Sequence, residues 1–204
     1  METMTNVELS VEQIRAVVEK VGGCLAWGGA VRLSPADDIL IRIEKALDID
    51  SEGQMIASVL SKKAAAGSTH VILDIPVGPT AKVRTQEDAV KLETYFKAVA
   101  ATIDLQVEVV ITDGSQPVGR GIGPALEAMD VLKVLRNEAD APSDLRERAL
   151  MLAARLMRLS GKFAEEDTAR LAHDILKDGR ALAKFMAICT AQGGFREPEK
   201  AEYK

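Results

Sequence analysis

The sequence predicts an α/β fold, a partial parallel-strand α/β lobe with a helix-rich C-terminal half, and three observations carry that prediction. His70–Val77 and Leu105–Thr112 are continuous runs rich in β-branched residues, the pattern of strands buried on both faces. Between them Thr85 precedes Ala89, Leu92, Tyr95, Phe96, Val99 and Ile103, apolar residues at helical spacing. Strand, helix and strand in that order make a βαβ unit, which closes as a right-handed crossover. Beyond Pro124 the apolar residues recur at helical spacing to the end of the chain.

The elements follow in order. Ser10 and Gln13 form a capping box ahead of Ile14, Val17, Val18 and Val21, and Gly22-Gly23 stops that helix. Cys24 to Trp27 is a short apolar piece running into Gly28-Gly29. Pro35 then opens a second helix holding Ile39, Leu40 and Ile43. Ser51 and Gln54 form another capping box, and the helix behind it runs through Met55, Ile56, Val59 and Leu60 to Gly67. After the βαβ unit come helices at Pro124 to Leu135, Leu145 to Leu159, Glu165 to Leu176 and Arg180 to Ala191. Parallel strands open at one carboxyl edge, where ligands sit in such sheets; here that edge holds Pro76 to Arg84 and Asp113 to Gly123. Two strands fall short of the usual sheet of about five or six. The polar run Arg196 to Lys200 reads as a linker rather than a docked terminus, so the chain reads as a piece of a longer one.

Composition narrows the function classes. With 204 residues and 47% hydrophobic content the chain can bury one full core. A net charge of -5, with no basic run interleaved with aromatics, argues against a nucleic-acid polymer as partner. No apolar stretch reaches the ~20 residues of a spanning helix, and Met1 to Ser10 lacks the layout of a secretion signal; the expectation is a cytoplasmic protein without a membrane partner. Cys24 and Cys189 read as reduced core thiols. His70 and His173 are solitary, so no metal site is expected.

Several side chains are candidates for chemistry. Ser58 and Lys62 are four residues apart, within about 40° on one helix face, and could grip the same planar ligand; Lys63 points elsewhere. Asp50 stands one residue before a helix cap, where the dipole lowers its pKa and opposes proton donation. Raising an Asp by three units costs about 4 kcal/mol, so a proton-donating Asp50 needs burial or a nearby anion such as a ligand phosphate. Lys82 follows Gly78-Pro79 at a strand mouth and either neutralises phosphate or stands in solvent. Asp74, inside an apolar strand, reads as a satisfied structural carboxylate. Gly119-Arg120-Gly121-Ile122-Gly123 offers backbone amides ahead of a helix, but Pro117 and Pro124 favour a tight structural turn over a phosphate loop. Trp27 reads as a packing anchor.

Trp27 to Asp38, Asp50 to Lys63 and Gln116 to Glu127 together resemble the thymidine/AMP phosphorylase family, and the resemblance spans nearly the whole chain. It implies phosphorolysis: inorganic phosphate attacks the sugar C1 of a nucleoside, and the free base and the sugar 1-phosphate result. On this resemblance Asp50 and Lys62 are the catalytic residues, and Arg42, Ser58, Lys62 and Lys82 bind substrate; the Arg42 to Ser58 spacing is one residue longer than in the bacterial pyrimidine enzymes. Inorganic phosphate is the co-substrate and no other cofactor is implied. Residues 1–34 would be a tail and the first part of the α/β lobe, 35–67 an inserted helical-lobe segment, 68–194 the α/β lobe with C-terminal helices, and 195–204 a linker to a further domain. Gly28, Gly29 and Gly67 are then hinge candidates. The implied activity is that of a pyrimidine-nucleoside (thymidine) phosphorylase, homodimeric at full length, with this chain as its base-recognition portion. The alternatives are a nucleoside 5'-monophosphate (AMP) phosphorylase and a noncatalytic interaction domain. Members carry a phosphate loop upstream of these motifs, so the 204 residues alone are expected to turn over little.

Overall fold

The computed structural model describes residues 1–28, 39, 52–163 and 167–199, and the chain divides into two compact units. One comprises Met1–Val31, Val118–Ala154 and Ala164–Lys204; the other comprises Arg32–Pro117 and Arg155–Phe163. Among the described residues there are seven helices and two strands: α1 (Val11–Val21), α2 (Glu52–Ala65), β1 (His70–Val77), α3 (Gln86–Ala101), β2 (Gln106–Asp113), α4 (Pro124–Leu135), α5 (Ser143–Leu159), α6 (Thr168–Lys177) and α7 (Arg180–Ala191). The expected α/β class is present, with a helix-rich C-terminal half.

In the unit built around the sheet, β1 and β2 pair in parallel, His70 opposite Gln106 through Val77 opposite Asp113. The crossover helix α3 starts at Thr85, whose hydroxyl accepts from the Asp88 amide at 3.1 Å. Side chains alternate across a strand, and residues paired across a ladder share a face. Val71, Leu73 and Ile75 therefore line up with Val109, and they pack with Ala89, Leu92, Phe96 and Ala100 of α3 and Ile56 and Leu60 of α2.

The opposite sheet face departs from the expectation of strands buried on both sides. It carries Asp74, Glu108 and Thr112, all half-buried and paired: the Thr112 hydroxyl donates to Asp74 Oδ1 at 2.6 Å, and Arg155 donates to Glu108 at 2.6 Å. The β-branched run hid this alternation because Ile72 and Val110 are apolar on the same face. The expected stripe on α3 was likewise too wide: Tyr95, Val99 and Ile103 are 42%, 41% and 45% exposed. The core line is Ala89, Leu92, Phe96 and Ala100 instead.

In the other unit α1 has the expected capping box, Ser10 Oγ accepting from Gln13 N and Gln13 Oε1 from Ser10 N, and it ends at Gly22 in the left-handed region, φ 77°. Buried Gln192 is the stitch between distant segments: its Nε2 donates to Asn6 O (2.7 Å) and Leu25 O (2.9 Å), and its Oε1 accepts from Leu25 N (2.7 Å). Cys189 is fully buried, and that burial pushes its thiol pKa up; both cysteines are free. Residues 195–199, read from the sequence as part of a linker, are docked. Arg196 N donates to Met4 O at 2.8 Å, its guanidinium reaches Glu2 O, Glu197 pairs with Arg136, and Pro198 is buried. Its polar composition concealed backbone and guanidinium bonds that only the fold supplies. The start expected for α6 at Glu165, the helix expected from Pro35 (Ile39 apart) and the Ser51 capping box lie outside the described residues.

Candidate functional site

Two features of the sheet-containing unit bear on the expected site. The first is a flank of α2. Ile56 and Leu60 take its inner face, with Met55 and Val59 packed beside them. At 3.6 residues per turn Ser58 and Lys62 then sit about 160° and 120° round the axis from Ile56. Both are half-buried, a hydroxyl and an ammonium one turn apart, as the spacing predicts. Lys63 is exposed and falls on the Ile56 side. The start of the helix is tied to α3 by the Glu52–Lys91 ion pair at 3.0 Å, which raises the Lys91 pKa. Its end turns at Gly67, φ 73°.

The second is the carboxyl edge of the sheet. Gly78 N donates to Val83 O (3.2 Å), Ala81 N donates to Gly78 O (3.1 Å), and Val83 lies beside Val77 in a parallel bridge. This loop carries Lys82 on the surface, next to buried Val83. From β2, Gly114 N donates to Val77 O (2.8 Å) and Ser115 N to Asp113 Oδ1 (2.9 Å). The backbones meet so closely that a Cβ on Gly78 would lie 2.4 Å from Gly114 O. Glycine is required there by space. Asp74, two residues inside the edge, is the satisfied carboxylate expected of it, held by Thr112. Arg42 and Asp50 lie outside the described residues.

The glycine run at 119–123 is a structural turn. Its amides already hold carboxylates of the protein: Gly119 N donates to Asp144 Oδ2 (2.9 Å), Arg120 N and Gly121 N both donate to Asp130 Oδ2 (2.7 Å each), and Gly123 N donates to Glu127 Oε1 (3.0 Å). Asp130 is 2% exposed and occupies the place a phosphate would need. The Gly119 amide, followed by the Leu145 amide, holds the Asp144 carboxyl below the ordinary carboxylate range. Sequence reasoning missed Asp130, although an Asp between Met129 and Val131 in an apolar helix was a signal for it.

Trp27 is not the expected packing anchor. Its amide donates to Val7 O at 2.8 Å, but the residue is 59% exposed and borders a cavity of about 440 Å³ with Thr5, Asn6, Val7 and Arg196. The backbone is the anchor and the ring projects from it. Among the described residues no group of three or more His, Cys, Asp or Glu side chains is placed to hold a metal ion. Among them, too, no helix is long and apolar enough to cross a membrane.

No family model matches the chain. Individual curated proteins do. The chain is 60% identical over 203 residues to a protein of Parvibaculum lavamentivorans named "Putative thymidine phosphorylase", and 60% identical over 203 residues to one of the same name in Tolumonas auensis. It is 59% identical over 204 residues to "Putative thymidine phosphorylase 1" of an Acidovorax species. Each alignment takes in 100% of this chain and 40% of the relative, so the chain spans about two fifths of the length of the curated relatives it matches.

Proposed function

The chain belongs to the family of the proteins named "Putative thymidine phosphorylase", and on that premise we propose that it is the base-recognition portion of a pyrimidine-nucleoside phosphorylase. The observation that carries the reading is the Ser58–Lys62 pair, one turn apart on the flank of α2 beside Met55. In phosphorolysis a phosphate oxygen forms a bond to the sugar C1 while the C1–N bond breaks, and the electron pair leaves with the base. Negative charge then develops on the ring nitrogen and carbonyl oxygens of that base. The Ser58 hydroxyl and the Lys62 ammonium are donors suited to that charge, each worth a few kcal/mol, roughly, in a dry site. Arg42 binds the base from upstream, Asp50 delivers the proton to the leaving nitrogen, and Lys82 holds the anionic part of the ligand. For that role Asp50 needs burial or an adjacent anion such as the ligand phosphate to favour its protonated form. The intact protein works in the cytoplasm as a homodimer, with 35–67 as the segment that closes base onto phosphate.

A second reading is favoured by one observation. Lys82 stands on a loop braced at the sheet edge, a place suited to a nucleoside 5'-phosphate, so AMP is the alternative substrate. Phosphate turnover by the intact protein with thymidine, uridine and AMP, before and after Lys62→Ala, tests both. Loss of one charge-stabilising donor should slow the preferred substrate about ten-fold or more. A nearly unchanged rate would refute the role of Lys62, and no turnover of any of the three would leave the noncatalytic reading.

A further inference from the structure

Exposed loops at strand ends are commonly loose. The loop that carries Lys82 is braced from several directions. Within it, hydrogen bonds at Gly78 and Ala81 and the Val77–Val83 bridge fix the backbone on either side of Lys82. Beneath it, Gly114 N extends the ladder beyond β2 by donating to Val77 O, and the Gly78 and Gly114 backbones are in contact too close for any side chain. On the polar sheet face the Thr112 hydroxyl crosses the pair diagonally to Asp74, since Thr112 stands opposite Pro76 and Asp74 opposite Val110. That bond ties the last turns of both strands together immediately before the loops leave the sheet.

We propose that Thr112, through its bond to Asp74, and Gly114, through its contact with Gly78, are positioning residues that hold the Lys82 loop in register for a phosphate-bearing ligand at the carboxyl edge of the sheet. The inference rests on the reading of Lys82 as a ligand contact. The shared chemistry is a phosphate oxyanion, supplied either by free phosphate or by the 5'-phosphate of a nucleotide. A pre-set loop lowers the ordering cost that binding would otherwise carry, and a misplacement of about 1 Å can reduce a rate by about 100-fold.

The test is equilibrium binding of inorganic phosphate and of AMP to the intact protein, for the unaltered chain and for Lys82→Gln, Thr112→Val, Thr112→Ser and Gly78→Ala, whose Cβ would meet Gly114 O, with melting temperatures measured alongside. Thr112→Val keeps the shape and removes the donor, and should weaken the affected ligand about ten-fold; Thr112→Ser restores the donor and should stay within about two-fold of the unaltered protein. Weakening of phosphate alone points to free phosphate as the source, and weakening of AMP, with or without phosphate, to the 5'-phosphate. Should Lys82→Gln weaken binding while Thr112→Val leaves it unchanged, the positioning role is overturned and the reading of Lys82 stands. Unchanged binding in Lys82→Gln, or no binding of either ligand to the unaltered protein, overturns both. A loss in Thr112→Val that Thr112→Ser does not recover marks general damage to the sheet and also overturns the proposal; Gly78→Ala should weaken binding about as much as Thr112→Val, and unchanged binding there overturns the role of the Gly114 contact.

Discussion

Removing the Asp130 carboxylate should unlock the 119–123 turn. In Asp130→Ala the amides of Arg120 and Gly121, which now donate to one buried oxygen at 2.7 Å each, lose their acceptor. A buried donor left unsatisfied costs about 1–3 kcal/mol, so the pair amounts to about 2–6 kcal/mol and a central value of about 4. At about 2–4 °C per kcal/mol for a chain of this size, the melting temperature should fall by about 8–16 °C. Asp130→Asn keeps an acceptor of the same shape and should cost clearly less. Urea unfolding followed by circular dichroism gives the energy, and hydrogen exchange gives the location: the Arg120 and Gly121 amides should lose protection in Asp130→Ala. The Gly119 amide, held separately by Asp144, should lose less. A penalty below about 1 kcal/mol, or one equal in the Ala and Asn variants, would refute the view that this carboxylate fills the turn.

Two further outcomes follow from the same geometry. The Asp144 carboxyl is depressed in the fold by the Gly119 amide, so its stabilisation is fully present above the unfolded value of about 4 and is lost as the pH falls through the lower folded value. Melting temperatures taken from about pH 6 to about pH 2 should therefore drop in the acid range, less so in Asp144→Asn, and equal slopes would contradict the assignment. On α3, Phe96→Ala should cost about 3–5 kcal/mol in urea unfolding because Phe96 is buried in the sheet core, whereas Val99→Ala one turn along should stay within about 0.5 kcal/mol.

The parts of the fold legible in the sequence were those written locally. Ser10 with Gln13, Thr85 before its helix, Gly22 and Gly67 at helix ends, and the two β-branched runs each specify their element through neighbours a few residues away. What was not legible depends on partners far along the chain. The polar face of the sheet is satisfied by Arg155, 47 residues from Glu108, and the docking of 195–199 rests on Met4 and Glu2. Asp130 belongs to the same class: its Asp identity was visible in an apolar helix, but the amides it holds are nine and ten residues back in a turn of its own unit. For the site, spacing alone put Ser58 and Lys62 on one face of α2. It placed Lys82 at a strand mouth but not the glycine contact and the bridge that brace its loop.

The most direct test of the account is a structure of the intact protein with a bound nucleoside. The predicted result has the base carbonyl or ring nitrogen within hydrogen-bond distance of Ser58 Oγ and Lys62 Nζ, about 2.7–3.2 Å. A base seated away from both side chains, with that flank of α2 facing only solvent or protein, would contradict it.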